Sequence, residues 1–145
     1  MILSKSAEYG LRAMLYLVTL ERDSYVSMRE IGEDLDISTS FLTKIFQKLT
    51  RDGILRSSRG PFGGVALARP AEEITLREIV VAIDGPGIFT ECVLGLPGCG
   101  ERNPCPMHAA WAEVRERLER MFDSETLAEL SARIKDQDLR LALHP

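Results

Sequence analysis

A two-residue break between two capped helical runs, at Asp36-Ile37, constrains this chain more than any other feature. Upstream, Ser27 with Glu30 three residues on has the pattern of a capping box and predicts a short helix to Leu35, with Ile31 and Leu35 turned inward. Downstream, Ser38 caps a run in which Leu42, Ile45, Phe46 and Leu49 share one face. Gly53 ends that run at a position where a left-handed residue is often needed. A turn this short between two helices gives helix-turn-helix geometry.

The flanking segments extend the pattern. Leu11, Met14, Leu15 and Val18 fall on one face of a helix expected from about residue 4 to 21. Two short apolar runs, 54–56 and 65–68, are joined by Arg59-Gly60-Pro61-Phe62-Gly63-Gly64 and predict a β-hairpin. Three helices followed by a hairpin are the order of a winged helix, so the fold expected is mainly α with a small β-hairpin wing. Thr75 and Glu78 form a second capping box, for a helix broken near Asp84 by Gly85-Pro86-Gly87.

Residues 85–104 hold five glycines and three prolines and are expected to form a loop without secondary structure of its own, a type that is usually functional. Pro106 suits the first turn of a long helix with Trp111, Val114, Leu118, Met121 and Phe122 in one stripe. Leu127, Leu130 and Ile134 mark a last amphipathic segment before a polar tail. The expected division is a winged helix-turn-helix DNA-binding domain at 1–84, a metal-binding loop at 85–104, and a dimerisation helix with the C-terminal segment at 105–145.

The net charge of −4 disguises an uneven distribution. Between residues 37 and 70 lie Lys44, Lys48, Arg51, Arg56, Arg59 and Arg69 against a single acid, Asp52, whereas from residue 86 onward acids outnumber bases ten to seven. A local basic footprint is what attracts phosphate. Opposite its apolar stripe, the third helix presents Ser40, Thr43, Lys44, Gln47 and Arg51, a face of hydroxyls, an amide and cations with no acid. Ser38 and the free N–H groups beside it suit a phosphate, and Arg59 at the glycine-rich tip suits a minor groove. The expected partner is double-stranded promoter DNA.

Cys92, Cys99 and Cys105 are spaced C-x6-C-x5-C, and His108 follows the last in C-x2-H. The apolar stretch from Leu11 to Leu20 is too short to span a bilayer and lacks a cleavage site, so a cytoplasmic chain with reduced thiols is expected. An odd number of cysteines in a loop too glycine-rich to pack points to metal or redox chemistry. Thiolates with an imidazole suit zinc or an iron–sulfur cluster; the wide spacing favours the cluster. An enzyme is not expected. His108 and His144 are the only histidines, and neither a nucleophile–base pair nor a phosphate-cradling motif is present.

These residues together resemble the iron–sulfur winged-helix regulators of the IscR and NsrR type. The similarity is carried by Leu3-Ser4-Lys5, by Ile37-Ser38-Thr39-Ser40-Phe41-Leu42, by the wing 59–64, and by Cys105-Pro106-Met107-His108-Ala109-Ala110-Trp111. The resemblance implies a homodimer whose long C-terminal helices cross, and promoter binding controlled by a cluster that responds to iron–sulfur, redox or nitric oxide status. In IscR-like members a histidine after the third cysteine completes a [2Fe-2S] site, and His108 matches it. In NsrR-like members an acid of the first helix, donated across the dimer, completes a [4Fe-4S] site, and Glu8 occupies that position. The reading favours His108 and [2Fe-2S], with Glu8 and [4Fe-4S] as the alternative. The first cysteine gap is one residue longer than the family's commoner C-x5-C-x5-C, and Thr43 stands where IscR carries an acid. A zinc-stabilised or thiol-redox regulator without a cluster is the other reading, and whether the protein represses or activates depends on where its operator lies.

Overall fold

The computed structural model describes residues 2–142, so His144 lies outside the described residues. The described chain runs α1 (Lys5–Thr19), α2 (Met28–Leu35), α3 (Thr39–Arg51), β1 (Leu55–Ser58), β2 (Gly64–Leu67), α4 (Leu76–Asp84), α5 (Gly87–Thr90), α6 (His108–Ser124) and α7 (Leu127–Gln137), with a 3-10 turn at Ala71–Glu73. It is a winged helix-turn-helix extended by a long helix.

The α2–α3 turn is built as the sequence suggests, with one difference. Asp36 adopts a left-handed conformation (φ 56°, ψ 49°) and closes α2 by bonding the Gly32 carbonyl. Ile37 is buried, and its carbonyl lies where a side chain on residue 32 would stand: a Cβ there would be 2.6 Å from Ile37 O. Gly32 therefore permits the tight turn. Ser38 then accepts the Phe41 N–H and starts α3. Ser27 likewise caps α2 by accepting the Glu30 N–H, but the Glu30 carboxylate pairs with Arg22 at 2.7 Å, so only half of the expected box forms.

The wing pairs Leu55 with Leu67 and Ser58 with Gly64 in an antiparallel register. It is fastened to the body by two reciprocal backbone bonds between Val26 and Val65, each 2.9 Å. The core gathers Met14, Ile31, Leu35, Leu42, Phe46, Leu49, Leu55 and Ile79 between α1, α2, α3, the wing and α4.

The expected α1 stripe is rotated. Of Leu11, Met14, Leu15 and Val18 only Met14 is fully buried; the inward face is Ala7, Gly10, Ala13, Met14 and Leu17. The cause is contact with α4. A Cβ on Gly10 would lie 2.3 Å from Ile83 Cδ1 and 3.1 Å from Ile45 Cγ2, so α4 rests directly on the α1 backbone and the larger aliphatic residues flank that contact.

Both halves of the Thr75–Glu78 box form. Burial opposes ionisation of Glu78, but the Arg69 guanidinium and the Thr75 N–H outweigh it and hold the carboxyl below its ordinary value. A matching box at Thr126–Glu129, which sequence reading missed, starts α7. The two helix starts are joined by Leu76 N–H to Glu125 O and Leu127 N–H to Ile74 O, both 3.0 Å, and Leu127 enters the main core.

Three further expectations are corrected. Residues 85–104 are not wholly without secondary structure, because α5 forms there and buries Phe89 against Val80 of α4 and Phe122 of α6. The α6 stripe is also divided, and Pro106 precedes the helix rather than lying in its first turn. Phe122 is buried and Trp111 and Leu118 half-buried, while Val114 (44% exposed) and Met121 (52%) face outward.

Gly10→Ala is expected to destabilise the protein by about 1–2 kcal/mol despite the roughly 1 kcal/mol that alanine adds within a helix. In an Ile83→Val background, which lacks Cδ1, the same change should become neutral or stabilising. Chemical denaturation of the two single variants and the double variant measures this coupling, and simple additivity would contradict it.

Candidate functional site

The three cysteines converge at the start of α6. Their Sγ atoms all lie within 4.8 Å of one another, and Cys92 and Cys105 are 3.6 Å apart. His108 Nδ1 stands 3.5 Å from Cys99 Sγ, which also accepts the Cys105 N–H at 3.4 Å. The loop reaches this arrangement through tight reversals at Gly95 and Gly98, both at φ 69°, a conformation unfavourable for a residue with a side chain.

Its entry is clamped by two side chains of α6. Trp111 Nε1 donates to Glu91 O at 2.8 Å, and Arg115 donates to Thr90 O and Glu91 O at 2.7 and 3.0 Å. Sequence reading assigned Trp111 to a core stripe and did not single out Arg115. An indole and a guanidinium one helical turn apart, downstream of a loop rich in free carbonyls, were the available signal.

All three thiols are half-buried. The Leu96 N–H, helped by the Leu94 N–H, overcomes partial burial and lowers Cys92 to about 7, whereas burial pushes Cys105 up. Cys92 is thus substantially thiolate near neutrality, the form that binds metals and attacks electrophiles.

Three sulfurs and an imidazole nitrogen form a donor set that suits zinc or an iron–sulfur cluster. A tetrahedral ion with bonds of about 2.3 Å to sulfur holds its thiolates about 3.8 Å apart, close to the Cys92–Cys105 separation. The same three thiols and imidazole are also the donors that would hold an iron–sulfur cluster. Glu8 is in the first turn of α1, ion-paired with Lys5 at 2.9 Å, and is not among the mutually close donors of this chain.

Separately, α3 and the wing enclose a groove of about 480 Å³ lined by Thr43, Gln47 and Arg51 from α3 and by Ser57, Ser58 and Arg59 from the wing. Four of the expected DNA-contacting residues therefore share one concavity. Ser38, Ser40 and Lys44 are exposed at the N-terminal part of α3. The Thr43 hydroxyl is already engaged, donating to Thr39 O at 2.8 Å.

Not every cation of the basic segment is free. Lys48 donates to Ile83 O at 2.9 Å, Arg69 is paired with Glu78, and Arg56 lies over the Tyr25 ring. Among the described residues Lys44 and Arg59 form no ion pair. Ser57 and Ser58 were not anticipated; their alternation on the first strand beside Arg59 was the only hint.

Residues 3–133 match the Rrf2 family, described as an iron-dependent transcriptional regulator. The chain is 33% identical over 139 residues to the HTH-type transcriptional regulator IscR of Yersinia pseudotuberculosis, covering 96% of this chain and 82% of the relative. Among solved structures, IscR of T. potens superposes with a TM-score of 0.76 at 25% identity, covering 95% of this chain and 91% of that one. CymR, the global cysteine regulator of B. subtilis, also gives 0.76 at 25% identity, covering 90% of this chain and 95% of that one. No described helix is long and apolar enough to cross a membrane.

In the metal-free protein, iodoacetamide should modify Cys92 first. Its lowered value means the thiolate is lost as pH falls through about 7 and present above it, so the rate should rise across the neutral range, with Cys105 following at higher pH. Peptide mapping by mass spectrometry checks the order.

Proposed function

Because the chain belongs to the Rrf2 family of iron-dependent transcriptional regulators, we propose that it is a homodimer whose promoter binding is controlled by an iron–sulfur cluster held by Cys92, Cys99, Cys105 and His108. The observation that carries this reading is the convergence of three thiols, with the His108 imidazole 3.5 Å from one of them. His108 favours a [2Fe-2S] cluster; Glu8 of a second subunit, with [4Fe-4S], is the alternative. A bound cluster supplies sensitivity to iron–sulfur supply, oxidation and nitric oxide.

The chain's own residues do the rest. Trp111 and Arg115 hold the loop entry against α6, so that the state of the loop bears on the helix that carries His108. Lys44, Gln47, Arg51 and Arg59 engage DNA, with Ser38 and Ser40 at the start of α3 and Thr43 in its groove-facing turn. Phosphate contacts by the cations set affinity and make it fall with salt, while base edges set sequence.

The dimer reading is supported by α6, where Met107 at its N-terminus and Val114 and Met121 along it recur every seven residues and are all exposed, and by Val93, Leu94 and Leu96, exposed in the neighbouring loop. A seam of this period suits a second, like helix. Val114→Glu together with Met121→Glu should convert dimer to monomer in analytical ultracentrifugation and weaken DNA binding. A variant pair that stays dimeric would move the interface elsewhere.

A second reading is favoured by the sulfur spacing itself, which suits one tetrahedral ion, and by the likeness to CymR: a regulator stabilised by zinc or switched by thiol oxidation. Anaerobic purification followed by visible absorbance and iron, sulfide and zinc analysis separates the two. Colour with iron and sulfide supports the cluster; one zinc and no visible band supports the second reading. His108→Ala should shorten the life of the cluster and alter its spectrum while Glu8→Ala leaves both unchanged, and the reverse outcome reassigns the fourth ligand to Glu8.

A further inference from the structure

We propose that Phe62 is an apolar wedge that enters the DNA minor groove and partly unstacks one base step, so that the protein kinks the duplex it binds. The inference rests on the DNA-binding reading and deepens it. Phe62 is 92% exposed, more than any other large apolar residue among those described. Single exposed apolar residues are ordinary on protein surfaces, so exposure alone decides nothing. Position and rigidity carry the argument.

The other strongly exposed apolar residues include Val93, Leu94, Leu96, Met107, Val114 and Met121, which lie near the cysteines or along α6. Phe62 belongs instead to the tip of the wing, three residues beyond Arg59, where the strand ends at Ser57, Ser58 and Gly64 line the α3 groove. The exposed aromatic ring there follows, three residues on, a cation with no ion pair among the described residues. When a recognition helix occupies a major groove, a wing beside it meets the backbone and the adjoining minor groove. The chemistry of that location, a cation followed by an apolar tip, matches the combination that minor-groove binders use to attract phosphate and then pry a step apart.

The tip is also built not to yield. Gly63 N–H bonds Gly60 O at 3.0 Å around Pro61 and Phe62, neither of which has positive φ, and proline fixes the second position of this turn. A Cβ on Gly63 would lie 2.3 Å from Ser58 O, and one on Gly64 2.0 Å from Val26 O, so both glycines are pressed against backbone. The Val26–Val65 bonds anchor the hairpin immediately behind. The ring is therefore presented on a braced support and loses little freedom when it enters a groove. Because pyrimidine–purine steps unstack most easily, sites carrying one at the position facing the wing should be preferred.

The test uses the intact protein, prepared without oxygen, and duplexes of about 30 base pairs that it selects from a random library, long enough for two half-sites. Bend is read by energy transfer between end labels, and unstacking by 2-aminopurine fluorescence at the step facing the wing. Phe62→Ala should abolish the bend, lower affinity roughly tenfold or more, the range for losing an aromatic–base contact, and erase the step preference; Phe62→Leu should retain much of the bend. An exposed tip residue leaves folding intact, which thermal unfolding verifies. Equal bending and affinity in Phe62→Ala overturns the wedge alone, as does a wild type that binds without bending. A changed oligomeric state of Phe62→Ala with DNA bending intact also overturns it and assigns the tip to protein contact. Retention of no duplex by the wild type in any metal state overturns the DNA-binding reading together with the wedge.

Discussion

Ile83 can rest on α1 only because residue 10 has no side chain, and much of the molecule is arranged around that contact. The last turn of α4 is held at one point from three directions. Its Ile83 side chain meets the α1 backbone at Gly10, its Ile83 carbonyl accepts Lys48 of α3, and the neighbouring Asp84 carboxylate accepts the Ser4 N–H and hydroxyl at the start of α1. Immediately beyond, Gly85 (φ 80°, ψ 178°) turns the chain into α5 and the cysteine loop. The joint therefore sets where the loop departs from the DNA-reading module. Lys48 is notable in this respect: a cation on the recognition helix is spent on a carbonyl rather than on phosphate.

What the sequence made legible was local. The Thr75–Glu78 box, the Asp36-Ile37 turn and the glycine-rich wing depend on residues within a few positions of one another, and each formed. The Thr126–Glu129 box was missed although it is equally local; the other misses turned on partners or on length. Gly10 reads as a weak point in a helix until the residue that fills its space is known, and the α1 face was therefore set a fraction of a turn off. The α6 stripe collected apolar residues correctly but could not divide them between Phe89 and Val80 on one side and solvent on the other. α5 is four residues long, too short for any periodicity to register. The cysteines were legible because few other uses exist for three thiols in so glycine-rich a segment; the clamp made by Trp111 and Arg115 was harder to see, because its acceptors are the backbone carbonyls of Thr90 and Glu91.

That clamp changes how the loop should be regarded thermodynamically. A segment with little apolar burial cannot offset its own ordering entropy, and its cohesion must come from outside or from a ligand. Trp111 and Arg115 hold Thr90 and Glu91 against α6, and the segment returns to the same helix at His108, so both ends are fixed within about one turn of each other. Most of the closure cost is thereby met by protein contacts before any metal arrives. The three thiols are thereby gathered with the Gly95 and Gly98 turns already formed.

The same geometry narrows how the loop can influence DNA reading. One path runs from Cys92 through α5, whose Phe89 meets Phe122 edge-on with ring centroids 5.7 Å apart, to Val80 of α4 and then through Ile83 to Lys48 of α3. Every member of that path is buried or hydrogen-bonded within one subunit, so it is a stiff strut with a single packing rather than an element with two. The other path is α6 itself. Its first residue is His108 at the sulfurs, its middle grips the loop entry, and its outward face carries Val114 and Met121. α6 is anchored on one side, where Phe122 packs on Phe89 and Val80, and exposed on the other at Val114 and Met121. In the homodimer proposed above, a change at the cysteines that turned the start of α6 would carry the outward Val114 and Met121 with it.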